Sequence, residues 1–212
     1  MKAYNYERLK PYKFYDFVMP IVRFLLRILT KTRVVGIENL PADAAGHVLV
    51  CNHISLTDPV FLAALSRRKW RFMAKQELFE NGFMGWLMTH SNAFPVNREG
   101  TDRKSIDYAV SILKDGNYGL GIFPEGTRSE DGKPGEAKPG AALMARQTKA
   151  NVIPACIYRE GKFKLFGHTT VRFGEVIPYA DLGMGEVAKS KETRAAAAII
   201  WDRVVQLWAE GY

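Results

Sequence analysis

The chain has 212 residues, of which 47% are hydrophobic and 25% charged, and a formal net charge of +8. This composition excludes an intrinsically disordered chain, and the length is enough for one domain with a full hydrophobic core. The excess of basic residues predicts an anionic partner, with nucleic acid, an acidic membrane surface and phosphorylated small molecules as the candidates. Cys51 and Cys156 both lie in apolar runs, so we expect reduced, buried thiols, no disulfide framework and a reducing compartment.

The first organised segment, residues 13–31, reads KFYDFVMPIVRFLLRILTK. Its uncharged stretches are far shorter than the roughly 20 residues that span a bilayer, and no signal peptide is evident. On a helix, its polar side chains form one narrow basic stripe and all other positions are apolar. This pattern predicts a helix lying in a membrane interface, with docking on the domain core as the alternative. The stripe consists of Lys13, Asp16, Pro20, Arg23, Arg27, Thr30 and Lys31.

Strands and helices alternate along the rest of the chain. This alternation predicts a single α/β domain whose mostly parallel central sheet is flanked by helices. We therefore divide the chain into an N-terminal amphipathic membrane-interface segment, residues 1–32, and an α/β domain, residues 33–212. The predicted strands are 47–52, 71–75, 92–96, 118–123, 151–158 and 169–177, and the predicted helices are 59–66, 82–90, 102–115, 140–148 and 188–209.

Polar residues follow three of the predicted strands. They occupy residues 52–59 (NHISLTDP), residues 97–98 (NR) and residues 124–129 (PEGTRS). Ligand sites of open α/β sheets lie just beyond the carboxyl ends of the strands. We therefore expect these three loops to converge on one site.

The first of these loops carries His53 and, five positions later, Asp58. A histidine held by a carboxylate is a positioned general base that can take a proton from a hydroxyl. The alternative is structural, because Asp58 and Pro59 also fit the start of a helix, with Asp58 as the N-cap and Pro59 as the first helical residue. Ser55 lies in no G-x-S-x-G elbow, so the hydroxyl has to come from a substrate. Arg98, Arg128 and Lys75 are candidates to bind an anionic group of that substrate, above all a phosphate.

Four blocks carry a family resemblance. The stretch NHISLTD, residues 52–58, resembles the N-H-x-x-x-x-D motif of the glycerolipid acyltransferases, of which the 1-acyl-sn-glycerol-3-phosphate acyltransferases are typical. The blocks FPVNR, residues 94–98, FPEGTRS, residues 123–129, and VIPACI, residues 152–157, are similar to the family's other motifs and follow in the family's order. The resemblance covers about half of the chain and is most specific in the first and third blocks.

The resemblance implies transfer of a fatty acyl group from acyl-CoA or an acyl-carrier-protein thioester to the sn-2 hydroxyl of 1-acyl-sn-glycerol 3-phosphate (lysophosphatidic acid), which gives phosphatidic acid. His53 would be the general base and Asp58 would orient it. No cofactor or metal is implied, and the partners would be the two substrates, the acyl-carrier protein where it is the donor, and a membrane surface. The expected location is the cytoplasmic face of the cell membrane, as a monotopic protein. The residues expected to bind the acceptor are Lys75, Arg98, Glu125, Gly126, Thr127 and Arg128.

Two other functions fit part of the pattern. One is an acyltransferase for another lysolipid or lipid hydroxyl, since motifs fix chemistry better than substrate. The other is a non-catalytic basic module that binds membranes or nucleic acid. The module explains the charge but not the His53–Asp58 pair, and the sequence has neither an RNP-type aromatic block nor a basic recognition helix. We therefore expect no nucleic-acid partner.

Overall fold

A computed structural model describes residue 6 and residues 13–80, 82–96, 103–159, 166–185 and 189–212, with only the backbone at 13 and 14. Within these ranges the strands are β1 (Lys31–Val35), β2 (His47–Cys51), β3 (Trp70–Lys75), β4 (Ala93–Val96), β5 (Gly119–Ile122), β6 (Asn151–Tyr158) and β7 (His168–Phe173). The α-helices are α1 (Lys13–Leu29), α2 (Asp58–Ser66), α3 (Glu77–Glu80), α4 (Gly82–His90), α5 (Arg103–Lys114), α6 (Gly140–Thr148) and α7 (Ser190–Ala209). Short 3₁₀ turns occupy Ile37–Asn39 and Tyr179–Leu182.

The strands form one sheet in the order β1-β7-β6-β2-β5-β3-β4. Every neighbouring pair is parallel except β6 and β7, which run antiparallel. Helices pack on both faces, so the predicted α/β class with a mostly parallel sheet is confirmed. Because β2, β3, β4 and β5 are parallel neighbours, their carboxyl ends lie at the same edge of the sheet.

The structure shortens two predicted elements and adds a strand. The helix predicted over residues 13–31 ends at Leu29, and β1 follows it at Lys31. This strand was not predicted, because its stability comes from pairing with the distant β7. The strand predicted over residues 169–177 ends at Phe173. Its last predicted residue, Ile177, makes an isolated bridge to Val152.

Alternate residues of β2 divide the buried core into two layers. Val48 and Val50 point into a cluster with α5, α6 and α7, whereas Leu49 and Cys51 point into a cluster with α1 and α2. This period of two is the expected pattern of a strand buried on both faces. Cys51 and Cys156 are both buried and unpaired. None of the described helices is long and apolar enough to cross a bilayer.

Helix α1 has two apolar sides with different environments. Tyr15 and Met19 are buried in the α1–α2 cluster, and Val22 and Leu26 pack against it. The docked alternative therefore describes one side of the helix. The other side carries exposed apolar side chains, namely Phe17, Ile21, Phe24, Leu25 and Ile28.

Candidate active site

The site is built on the loop that joins β2 to α2, and Asn52 fixes its beginning. The buried Asn52 amide donates through Nδ2 to the carbonyl of Ile157 at 3.0 Å and accepts at Oδ1 from the Ile157 amide at 2.8 Å. These two bonds join the end of β2 to the neighbouring strand β6 at the point where their ladder stops. Each bond contributes about 1 kcal/mol, and losing the partner of a buried backbone group costs about 1–3 kcal/mol. The loop therefore starts from a fixed position.

Asp58 organises the rest of this loop. Its side chain is fully buried, and Oδ2 accepts hydrogen bonds from the Ile54 and Ser55 amides at 2.7 Å each. The same oxygen lies 3.0 Å from Nδ1 of His53. The structural reading of Asp58 as the N-cap is wrong, since Thr57 occupies the N-cap position and Asp58 is the first helical residue. The carboxylate faces back over the loop and not into the first turn of α2.

The imidazole of His53 is held on one nitrogen and on one face. The contact to Asp58 places the proton on Nδ1, so Nε2 is the nitrogen that can accept a proton from a hydroxyl. The ring stacks on Phe123 with a centroid separation of 4.2 Å and an interplanar angle of 22°. Phe72 stacks behind Phe123 at 5.7 Å. These contacts leave the His53 side chain 13% exposed, which is enough for a small group to reach it.

Glu125 joins the histidine loop to the loop that follows β5. Its Oε1 accepts from the His53 amide at 2.7 Å, and its Oε2 accepts from the Gly135 amide at 2.8 Å. The Ser129 amide in turn donates to the His53 carbonyl at 2.7 Å. Burial raises the pKa of Glu125, and the two backbone N–H donors oppose that shift by stabilising the carboxylate. These two loops thus converge as predicted, through hydrogen bonds to the amide and to the carbonyl of His53.

The remaining predicted site residues lie around this pair of loops. Gly126 turns the chain after Glu125 with a φ of +74°, and the next two side chains, Thr127 and Arg128, are exposed. Lys75 ends β3 at the same sheet edge and pairs with Glu77 at 2.9 Å, with both side chains about half exposed. Such an exposed pair is worth at most about 1 kcal/mol and leaves Lys75 able to exchange partners. Arg98 lies outside the described residues.

A buried arginine that interacts electrostatically with Asp58 was not among the predicted site residues. Arg159 follows β6, is 6% exposed, donates from Nε to Oγ1 of Thr169 at 3.0 Å and lies over the ring of Phe61 at 5.3 Å. Burial lowers its pKa, and the carboxylate of Asp58 opposes that shift. The anion that orients His53 therefore has a buried cation to offset its charge. The sequence signal was an arginine directly after an apolar strand.

Within the described ranges, no three or more His, Cys, Asp or Glu side chains stand close enough together to hold a metal ion. The groups that this edge offers to a substrate are an oriented imidazole, exposed cations and the backbone of the loop around Gly126.

Comparison with known proteins gave consistent matches. A protein-family model described as "Acyltransferase" matches residues 31–158. A 1-acyl-sn-glycerol-3-phosphate acyltransferase of Bacillus subtilis (strain 168) is 33% identical over 192 residues, which are 86% of this chain and 90% of the relative. The protein of the same description from Streptococcus pneumoniae is 31% identical over 176 residues, or 80% of this chain and 64% of the relative.

A solved structure shares the fold. The crystal structure of the 1-acyl-sn-glycerophosphate (LPA) acyltransferase PlsC from Thermotoga maritima superposes with a TM-score of 0.70 and 24% sequence identity. The match covers 92% of this chain and 80% of that one.

We predict that Glu125 gives the stability of the fold a specific pH dependence. Because its pKa is raised above the ordinary 4.5, the folded state keeps the proton to a higher pH than the unfolded state. The unfolded state therefore binds fewer protons at this residue, and the contribution of Glu125 to the free energy of unfolding falls as the pH rises past 4.5. Glu125→Gln does not titrate and should lack this part of the slope.

The measurement is urea unfolding of both proteins in small pH steps from below 4.5 to neutral. The wild-type free energy minus that of the variant should decrease with pH and then level off. The exposed Glu136→Gln serves as the matched control and should reproduce the wild-type slope. A wild-type-minus-Glu125→Gln difference that stays flat or rises across this range would contradict the raised pKa.

Proposed function

The chain belongs to the acyltransferase family, and from this premise we propose that it makes phosphatidic acid by acylating the sn-2 hydroxyl of 1-acyl-sn-glycerol 3-phosphate. The acyl donor is a thioester of coenzyme A or of acyl-carrier protein. Relatives that carry this description match most of the chain. The basic net charge suits an acceptor with a phosphate group and a membrane with anionic lipids.

The observation that carries the proposal is the geometry of the His53–Asp58 pair. The Asp58 carboxylate fixes the ring of His53 through Nδ1, so Nε2 can take the proton from the acceptor hydroxyl as the new bond forms. The oxygen then attacks the thioester carbonyl directly. The pair has the last two members of a Ser-His-Asp triad, with the substrate hydroxyl in the place of the serine.

The same two residues complete the reaction. Attack gives a tetrahedral oxyanion, for which backbone N–H groups around Gly126 are the expected donors. Its collapse breaks the carbon–sulfur bond, and the leaving thiolate takes the proton back from Nε2 of His53. Asp58 stabilises the imidazolium between these steps, and Arg159 offsets the charge of Asp58 throughout.

The acceptor phosphate is bound by cations at the same edge of the sheet. Arg128 is exposed on the loop fixed by Glu125, and a guanidinium grips a phosphate at two points. Glu125 has both oxygens engaged by backbone N–H groups, so it acts on the substrate through the position of the loop. The remaining residues that we assign to the acceptor are Lys75, Arg98, Gly126 and Thr127.

The test of the substrate is steady-state kinetics with lysophosphatidic acid and other lysolipids, each with CoA and carrier-protein thioesters. Lysophosphatidic acid should give the highest kcat/KM. Arg128→Ala should raise the KM for this acceptor about tenfold to a hundredfold, since a charge-assisted contact to phosphate is lost, and leave the KM for the donor nearly unchanged. Arg203→Ala, an exposed arginine on α7, is the control. Preference for a neutral or zwitterionic lysolipid would identify another lipid hydroxyl as the acceptor.

The test of the mechanism is the replacement of His53. His53→Ala should lower kcat about 10²–10⁴-fold, the contribution of a positioned general base. The kcat of Asp58→Asn should lie between those of His53→Ala and the wild type, because His53 is still present but the carboxylate that orients it is lost. The exposed His168→Ala should keep wild-type turnover. Near wild-type turnover by folded His53→Ala protein, with its unfolding transition intact, would refute the proton path.

We place the enzyme on the cytoplasmic face of the cell membrane, held by α1. Phe17 is 71% and Phe24 is 62% exposed, so these side chains do not dock α1 on the core. An exposed apolar face of this extent favours insertion into the interface between headgroups and acyl chains. The acceptor and the product are lipids, so an active site near the bilayer surface shortens their path.

Basic side chains border the exposed face of α1. Arg23 donates to the carbonyl of Ala64 at 2.6 Å, and its pKa is lowered by burial and by the positive charges of Arg67 and Arg27. Arg27 and Arg67 thus lie close enough to act on Arg23, and the three side chains form a local positive potential. Anionic headgroups relieve this repulsion, and we expect them to bind there.

Vesicle flotation tests the role of α1. Replacing Phe17, Ile21 and Phe24 together by Ser should release the protein from phosphatidylglycerol-containing vesicles, because the apolar contribution is removed. High salt should weaken binding only in part, since it screens the charges alone. Replacing the exposed Ile199 and Val205 of α7 by Ser is the matched control and should leave binding unchanged. Full flotation of the triple variant would show that the exposed side of α1 is not the anchor.

A further inference from the structure

Helix α4 presents an aromatic surface that the reaction does not use. Phe83 is 73% and Trp86 is 46% exposed, and their rings lie 6.4 Å apart with an interplanar angle of 21°. The inner side of the helix is defined by Gly85, its one buried residue in the described range. A Cβ there would lie 2.5 Å from the carbonyl oxygen of Phe79, so α4 packs closely on α3. We call Phe83 and Trp86 the aromatic pair.

The topology places the aromatic pair on the same face of the sheet as α1. The chain moves from β2 to β3 through α2, and from β3 to β4 through α3 and α4, in the same direction along the sheet. Right-handed crossovers in the same direction lie on one face. Helix α2 shares its buried cluster with α1, so α1, α2 and α4 cover one face together.

The aromatic pair also lies on a connection between two strands that end at the edge of the sheet where the site lies. Helix α4 connects β3 and β4, whose carboxyl ends lie at the same edge as that of β2. The catalytic loop after β2 carries Leu56, which is 59% exposed. Exposed apolar groups are thus found on α1, on the loop between His53 and Asp58, and on α4.

We propose that the aromatic pair is a second membrane contact, which inserts into the bilayer interface beside α1; the inference rests on the proposed function, since a lipid substrate requires the site to open at a membrane. Tryptophan and phenylalanine favour the headgroup level of bilayers. The cations of the α1–α2 surface, Arg23, Arg27 and Arg67, give this face a charge complementary to an anionic leaflet. Two contacts on either side of α2 fix the orientation of the enzyme, with the catalytic loop facing the lipid.

The four tryptophans of the chain allow a direct test. Trp70 is fully buried, and Trp201 and Trp208 lie on α7, which packs against the opposite face of the sheet. Trp86 is therefore the tryptophan that a bilayer on the α1 face can reach. Its fluorescence should be quenched by vesicles of phosphatidylcholine and phosphatidylglycerol whose acyl chains are brominated near the glycerol.

The experiment compares the wild type with Trp86→Phe and the control Trp208→Phe. Bound wild type and Trp208→Phe should be quenched, and Trp86→Phe should lose most of the quenching. Replacing Phe83 and Trp86 together by Ser should weaken vesicle binding about tenfold to a hundredfold, because the apolar area that these side chains bury in the bilayer is lost. Replacing the exposed Ile199 and Val205 together by Ser is the control and should leave binding unchanged.

Two results would overturn the inference. One is equal quenching of wild type and Trp86→Phe on bound vesicles. The other is normal vesicle binding by the Ser double variant. A change in the sedimentation of that variant would then show that the aromatic pair contacts a second copy of the chain. Acyl transfer to lysophosphatidic acid in detergent micelles is measured in parallel. Absence of that activity in the wild type would refute the proposed function. The quenching result does not depend on that activity, so the two failures can be distinguished.

Discussion

The buried carboxylate of Asp58 is the group on which the conformation of the loop between β2 and α2 depends. One oxygen accepts from two backbone amides and orients the imidazole of His53. Burying a carboxylate is costly unless donors and a counter-charge offset the loss of water. The two amides, the imidazole and the buried Arg159 supply that offset. The amide and imidazole contacts that make the burial tolerable also fix the orientation of the His53 ring.

The loop is positioned by bonds on both sides of His53. Asn52, the residue before His53, is bonded through its side chain to the backbone of β6. Glu125 accepts a hydrogen bond from the amide of His53 itself. Phe123 packs on the ring from the strand end that also carries Glu125. An imidazole held by its own strand, by a neighbouring strand and by an adjacent loop is preorganised, which is the property that the proposed general base requires.

Most of the regular structure could be predicted because it follows local patterns. The buried strands β2 and β6 are apolar runs, and α5 carries an apolar face at helical spacing. β1 was missed because Lys31, Thr32 and Arg33 show no alternation, and its partner β7 comes more than 130 residues later. The antiparallel direction of β7 was equally unpredictable, since strand direction depends on how the chain returns to the sheet.

The sequence by itself determined which side chains are available to the candidate site, an imidazole, carboxylates and several cations, and after which strands they stand. Those properties belong to single residues and short spacings. Tertiary structure alone decided that Glu125 binds the backbone of His53, that Asn52 is a fastening between strands, and that Arg159 offsets the charge of Asp58. It also decided which side of α1 meets the core, because both sides are apolar and only packing distinguishes them. Each of these is an interaction between residues far apart in the chain, which no local pattern encodes.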